Sequence, residues 1–339
     1  MAHLPNRLTY HSGQTRPLLP HNHHFVNKTC EEAYMKCAEY EQHVAGADSR
    51  LDNPTSGVFA RMLGYLISEA FCDRSQMYIA KQILAYSKID GGLYKLANIY
   101  AMHIVKRFML KEDVASSQSY KDMAEDIADE EDPDTGTLGL MERIESQKFK
   151  CAVTKATDID QLNSERASNE SMHESDSGCH LRCVHLIPRF DDSDTSLILD
   201  QNPPEGQSPL TLYKIWFTYF CICIEDMVPS EYSGLYNSPA NTLAVSSEVA
   251  AHINSLTVWL DRDTNPETNN MDSTFDAALD LAYLTSEEVD KYPQRVIFDE
   301  MPMPSLLHLR LCASMARVAI WSGLKNYLLG LEGDVSEKE

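Results

Sequence analysis

Three groups of side chains in this sequence have the types and spacing to do chemistry. Cys151, Cys179, His180 and Cys183 offer thiolates and an imidazole, the ligands that suit zinc. The Cys179-x-x-x-Cys183 spacing straddles a change from loop to strand rather than a zinc knuckle, so buried thiols in a small core are the expected reading. His21, His23 and His24 lie around Asn22 and could bind a metal, but their Pro-, His- and Asn-containing surroundings have no periodicity and read as a solvated tail. His185 sits between Val184 and Leu186, where a strand can bury an imidazole that bonds to backbone.

Three of those residues, Cys151, Cys183 and His185, fall within a longer pattern. Lys148 to Thr154 and Leu181 to Pro188 both read as strands, the second ended by Pro188 and carrying His185. Asn241 then opens an apolar stretch that leads towards a helix beginning near Ser246 or Ser247. A strand, a strand with a histidine, an asparagine loop and a helix make a ββα order.

With these stretches the chain resembles fungal, especially mushroom-type, proteins that carry an HNH nuclease domain, whose middle reads C-V-x-T-G, then C-A-H-I-x-P, then N-x-x-x-L, then H-x-x-F-D. The helical segment before residue 113, the Leu256-Thr257-Val258-Trp259-Leu260 run, and Pro304-Ser305-Leu306-Leu307 followed by Ala316-Arg317-Val318-Ala319 resemble that family's flanks, so the likeness covers most of residues 55 to 328. It implies that His185 is a general base that takes a proton from water for in-line attack on phosphorus, and that Asn241 orients it or shapes its loop. It also implies a divalent ion (Mg, Mn, Zn or Ni) that stabilises the leaving oxygen.

The sequence departs from the family at the metal. Ala250 stands where the last histidine belongs and offers no ligand. His252 is close, but two residues along a helix turn a side chain by about 200°, so it is expected to miss the site. Asn254, one turn after Ala250, lies on the correct face and replaces an aspartate, a weak neutral anchor. Val184 also holds a place where many such enzymes have an Asp or His. The expectation is a divergent endonuclease-like protein with weak or no cleavage of DNA. The alternative is a non-catalytic interaction protein that keeps the nuclease fold.

The elements that must position these residues read as a mainly α (α+β) protein, with helical N- and C-terminal parts around a small ββα-metal module. A flexible tail at 1–27 precedes a helical segment at 28–112, where Leu63, Leu66, Ile67 and Ala70, then Leu93, Leu96, Ala97, Tyr100 and Ile104, recur at helical steps. Asp73 and Asp90 sit where a cap or turn is placed. Residues 113–135 read as an acidic linker, with eight acidic residues between Asp122 and Asp134, or as an acidic mimic that covers a basic partner or the protein's own groove. The module is assigned to 136–262 and contains a polar loop at 163–178; a variable connection follows at 263–300 and a packed helix at 301–330.

The net charge of -22 disfavours DNA as a partner, since a polyanion is held by Lys and Arg that displace its counterions; a protein partner fits better. The longest apolar run, Leu212 to Ile224, is about half of what a bilayer needs, so no membrane association is expected. Nine cysteines without a secreted framework and an N-terminus without a signal-peptide core point to an intracellular protein, nuclear or cytoplasmic.

Overall fold

The computed structural model describes residues 15–18, 25–46, 55–109, 135–168, 178–228, 236–262, 274–279, 295–298 and 303–336. His21, His23, His24, the acidic stretch Asp122 to Asp134 and residues 169–177 lie outside them. The protein is mostly helical with small sheets. Helices α1 (Lys28–Gly46), α2 (Thr55–Ser68), α3 (Asp73–Tyr86) and α4 (Gly92–Tyr100) come first, and a π turn at Ala101–Val105 continues α4 into α5 (Lys106–Met109). Then follow α6 (Thr135–Ser146), β1 (Thr157–Asp158), α7 (Ile159–Ser168), β2 (Gly178–Cys179), β3 (Leu181–His185), α8 (Asp192–Thr195), β4 (Ile198–Asp200), β5 (Leu210–Thr211) and α9 (Leu212–Ile215). The chain closes with β6 (Thr242–Ser246), α10 (Ser247–Asn254), β7 (Val258–Arg262), β8 (Thr274–Leu279), β9 (Arg295–Ile297), α11 (Leu306–Ser322) and α12 (Leu324–Ser336).

The chain divides into two compact units, each built from three separate stretches. One comprises Ser12–Phe108, Asp191–Glu225 and Ser314–Glu339, so residues 191–225, inside 136–262 in sequence, group with the N-terminal helices. Its helices bury the apolar faces that their periodicity marks: Phe59, Leu63, Leu66 and Ile67 on α2, and Leu96, Ala97 and Tyr100 on α4. Asp200 on β4 accepts the Tyr86 hydroxyl at 2.6 Å and pairs with Lys95 at 2.7 Å, while Arg107 grips the buried Asp194 of α8 through Nη1 and Nη2 of its guanidinium. These ties dock the 191–225 stretch onto α3, α4 and α5.

Residues 15–18, read from the sequence as part of a tail, are held in this unit. Leu18 is buried, Arg16 donates its N–H to the Trp321 carbonyl at 2.9 Å, and Tyr65 donates its hydroxyl to the Arg16 carbonyl at 2.9 Å. At the other end of the chain, where one helix was expected over 301–330, there are two. Gly323 adopts φ +81° and breaks the run between α11 and α12, a conformation that costs other residues more than glycine.

The other unit comprises Met1–His11, Met109–Phe190 and Asp226–Ala313. β3 pairs antiparallel with β6, in a register that places Leu181 opposite Ser246 and His185 opposite Thr242. α10 follows β6 at once, its first turn capped by the Ser246 hydroxyl, which accepts from the Val249 N–H; the helix start expected near Ser246 or Ser247 is where the chain has it. The core collects Ile144, Val153, Val184, Val245, Val249 and Val258, among others. Beyond α10, the three-stranded antiparallel sheet β7-β8-β9 carries strands into the stretch read as a variable connection.

Lys148 to Thr154, expected as a strand, is instead a turn. Lys148 and Phe149 take φ near +55° (54 and 56), which bends the chain out of any extended ladder, and only an isolated bridge joins Lys150 to Thr157. The Cys151 sulfur accepts the Thr154 N–H of the turn at 3.3 Å and the Ser246 N–H at the end of β6 at 3.2 Å.

Candidate functional site

The last residue of β3 is His185, and the β3–β6 register sets it beside the turn that enters β6, where Asn241 lies. Asn241 is fully buried, and its amide holds that corner together. Its Oδ1 accepts the Ile187 N–H at 2.9 Å, and its Nδ2 donates to the carbonyls of Tyr236 at 2.9 Å and Ile187 at 3.5 Å. The Asn241 carbonyl also accepts the Leu186 N–H at 2.8 Å. His185 and Asn241 are therefore brought together, with the asparagine fixing the chain that leaves the histidine.

His185 is buried, with only 1% of its surface accessible. Its ring lies flat on Tyr236, centroids 3.9 Å apart and planes within 4° of parallel. Its Nε2 is 2.8 Å from the Asn237 side-chain oxygen. An amide oxygen only accepts, so Nε2 carries the proton in this contact and has no lone pair to offer. Close approach of the 236–241 turn depends on Gly139 of α6, since a Cβ there would sit 2.6 Å from the Asn237 carbonyl oxygen.

Two further residues, which no motif spacing marked, secure the same corner. Arg143 of α6 is completely buried and donates Nε to the Thr242 carbonyl at 2.8 Å and an Nη to the Pro239 carbonyl. Burial pulls its pKa down to about 10, so it remains a cation near neutrality. Gln147, at the end of the same helix, acts as a short strand: its Oε1 accepts the Ala244 N–H at 3.0 Å and its Nε2 donates to the Ala244 carbonyl at 2.8 Å. The sequence carried no signal for either, since Arg143 and Gln147 stand among Glu142, Glu145, Ser146 and Lys148, a pattern common to exposed helices.

The other candidates lie apart from that corner. Ala250 is completely buried on α10 in the apolar core. His252 bonds through Nδ1 to the Thr257 hydroxyl at 2.9 Å and steadies the turn after the helix. Asn254, at the last position of α10, is half-buried with its Oδ1 enclosed. Cys179 donates its thiol to the Ala156 carbonyl at 3.5 Å and Cys183 donates to Leu140 at 3.7 Å; burial pushes both thiols up to about 12, where they stay protonated. Among the described residues no three His, Cys, Asp or Glu side chains converge as metal ligands.

No protein-family model, no curated protein and no solved structure matches the chain. Among the described residues no helix is long and apolar enough to cross a membrane.

Proposed function

We propose that β3, β6 and α10 form a divergent HNH-type module that no longer cleaves phosphodiesters, and that the chain acts as a non-catalytic interaction protein. The ancestry rests on the order of strand, strand and helix and on His185 and Asn241 meeting at one corner. The loss of chemistry rests on one observation above all: the His185 ring is buried beneath Tyr236, with 1% of its surface accessible. A general base needs its lone pair within hydrogen-bond reach of the attacking water; with the proton on Nε2 that lone pair is on Nδ1, which the fold encloses. Ala250 supports the same reading, because it leaves the metal without its last ligand, and a metal supplies several kcal/mol of stabilisation to a developing oxyanion.

The net charge of -22 favours a partner with a basic surface over a nucleic acid. The test incubates the full chain, His185→Ala and Ala250→His with supercoiled plasmid in Mg²⁺, Mn²⁺, Ni²⁺ and Zn²⁺ and follows nicking. The expected result is no cutting by the wild type or His185→Ala in any metal. Cutting by Ala250→His alone would establish the nuclease descent, and silence from all three would leave only the interaction role. Nicking by the wild type that is lost in His185→Ala would overturn the proposal.

A further inference from the structure

Outside that module, the unit that contains the N-terminal helices carries a cavity of about 360 Å³ with a basic lining. One face of α3 forms much of it. Tyr78, Lys81 and Gln82 stand at three- and four-residue steps, the spacing that stacks side chains on one side of a helix. Lys88 continues that side just past the helix end, in a turn held by its N–H to the Ala85 carbonyl at 3.3 Å. Gln207, in the connection between β4 and β5, and Lys214 of α9 complete the polar lining, the Lys214 ammonium bonding to the Ser208 hydroxyl. Three cations, Lys81, Lys88 and Lys214, thus share one cavity whose lining holds no carboxylate. Among the described residues none of the three is in an ion pair. Gln82 is only 6% exposed, yet among the described residues its amide has no hydrogen-bond partner, so its polar end is left to whatever enters the cavity. Tyr78 beside it is buried too, and its hydroxyl is likewise without a partner.

We propose that this cavity binds a compact small molecule carrying two or more phosphate groups. In a chain with 51 acidic side chains, three cations gathered without a counter-charge repel one another until an anion joins them. Lys81 and Lys88 stand about 10 Å apart along the helix axis, which suits separate phosphate groups better than one. Phosphate oxygens accept from the ammonium groups and from the Gln82 Nε2, so one ligand meets both the charge and the unpartnered amide. The volume lies in the range of small-molecule clefts. At physiological salt charges are screened over about 8 Å, so a compact anion held among the three lysines is shielded from most of the distant carboxylates. An extended nucleic acid would run beyond the cavity along a protein of net charge -22, which disfavours it.

Full-length protein is titrated calorimetrically with tripolyphosphate, orthophosphate, sulfate and a short DNA single strand, at a constant ionic strength of about 150 mM. Tripolyphosphate is expected to bind, and more tightly than the other three. Replacing both lysines of the α3 wall, Lys81→Gln with Lys88→Gln, should weaken it by about tenfold or more. Gln82→Met, which removes the amide at unchanged charge, should weaken it by about threefold or more. Lys28→Gln with Lys36→Gln takes the same charge from α1, outside the cavity, and should leave binding unchanged. Absence of tripolyphosphate binding, binding that the α3 variants leave intact, or an equal loss in the α1 variant would overturn the proposal. A DNA strand that binds more tightly than tripolyphosphate through the same lysines would do so too. Lys81 and Lys88 are exposed, so the variant that decides the question keeps the fold, which circular dichroism verifies.

Discussion

An asparagine side chain presents one acceptor and one amino group, and at position 241 all of them are directed at backbone: Ile187 on one side, Tyr236 on the other. Removing that amide strands a buried N–H and a buried carbonyl, each costing about 1–3 kcal/mol. Asn241→Ala is therefore expected to lower the stability of the fold by roughly 2–4 kcal/mol in urea unfolding followed by circular dichroism. A loss below about 0.5 kcal/mol, the range of ordinary surface substitutions, would show that the corner is held by other contacts. The pairing of His185 with Asn241 was legible because strand and turn residues recur in order along the chain. The cover over His185 was not, since Tyr236 and Asn237 come from a stretch with no periodic signal and reach it only through the fold. Arg143 was equally hidden, because a lone arginine in a helical pattern reads as solvent-facing until its acceptors are known.

At the level of elements, the helices of the N-terminal stretch followed from apolar spacing, whereas their boundaries did not. The cap of α3 is the Cys72 sulfur, with Asp73 as the first helical residue, and the cap of α4 is Gly91 rather than Asp90. A thiol is a poor cap by type, so composition pointed to its acidic neighbour. The seventeen-residue helix α11 was read as continuous with α12 because Leu324 keeps the apolar face. Gly323 is the reason it is not: at φ +81° a side chain is strained, and a Cβ would lie 2.5 Å from the Thr15 Cγ2. Gly323→Ala is expected to cost about 1–3 kcal/mol, seen as a lower thermal midpoint. Gly330→Ala, within α12 and with nothing near its Cβ, should be neutral or stabilising by up to about 1 kcal/mol. Equal midpoints for the two variants would remove the break as a structural requirement. Leu306, placed on the buried face by spacing, is in fact exposed as the first residue of α11.

For the molecule as a whole, an excess of 51 acidic over 29 basic side chains sets the sign of long-range forces before any contact forms. At about 150 mM salt the protein at roughly 10 µM is expected to leave a labelled DNA duplex unshifted in a mobility assay, since phosphate contacts supply most non-specific affinity. A shift that weakens steeply with added salt would mean that a basic groove exists despite the net charge, and DNA would replace a basic protein as the favoured partner. The assembly of each unit from three stretches has a different consequence, which concerns synthesis. The unit holding the N-terminal helices needs Asp191–Glu225 and then Ser314–Glu339, whereas the other has all its stretches by Ala313. At about 5–20 residues per second, the apolar faces of α1 to α4 wait on the order of tens of seconds for their last partners to leave the ribosome. The helices made first are completed last, and over that interval they are the stretch of this chain most in need of a chaperone.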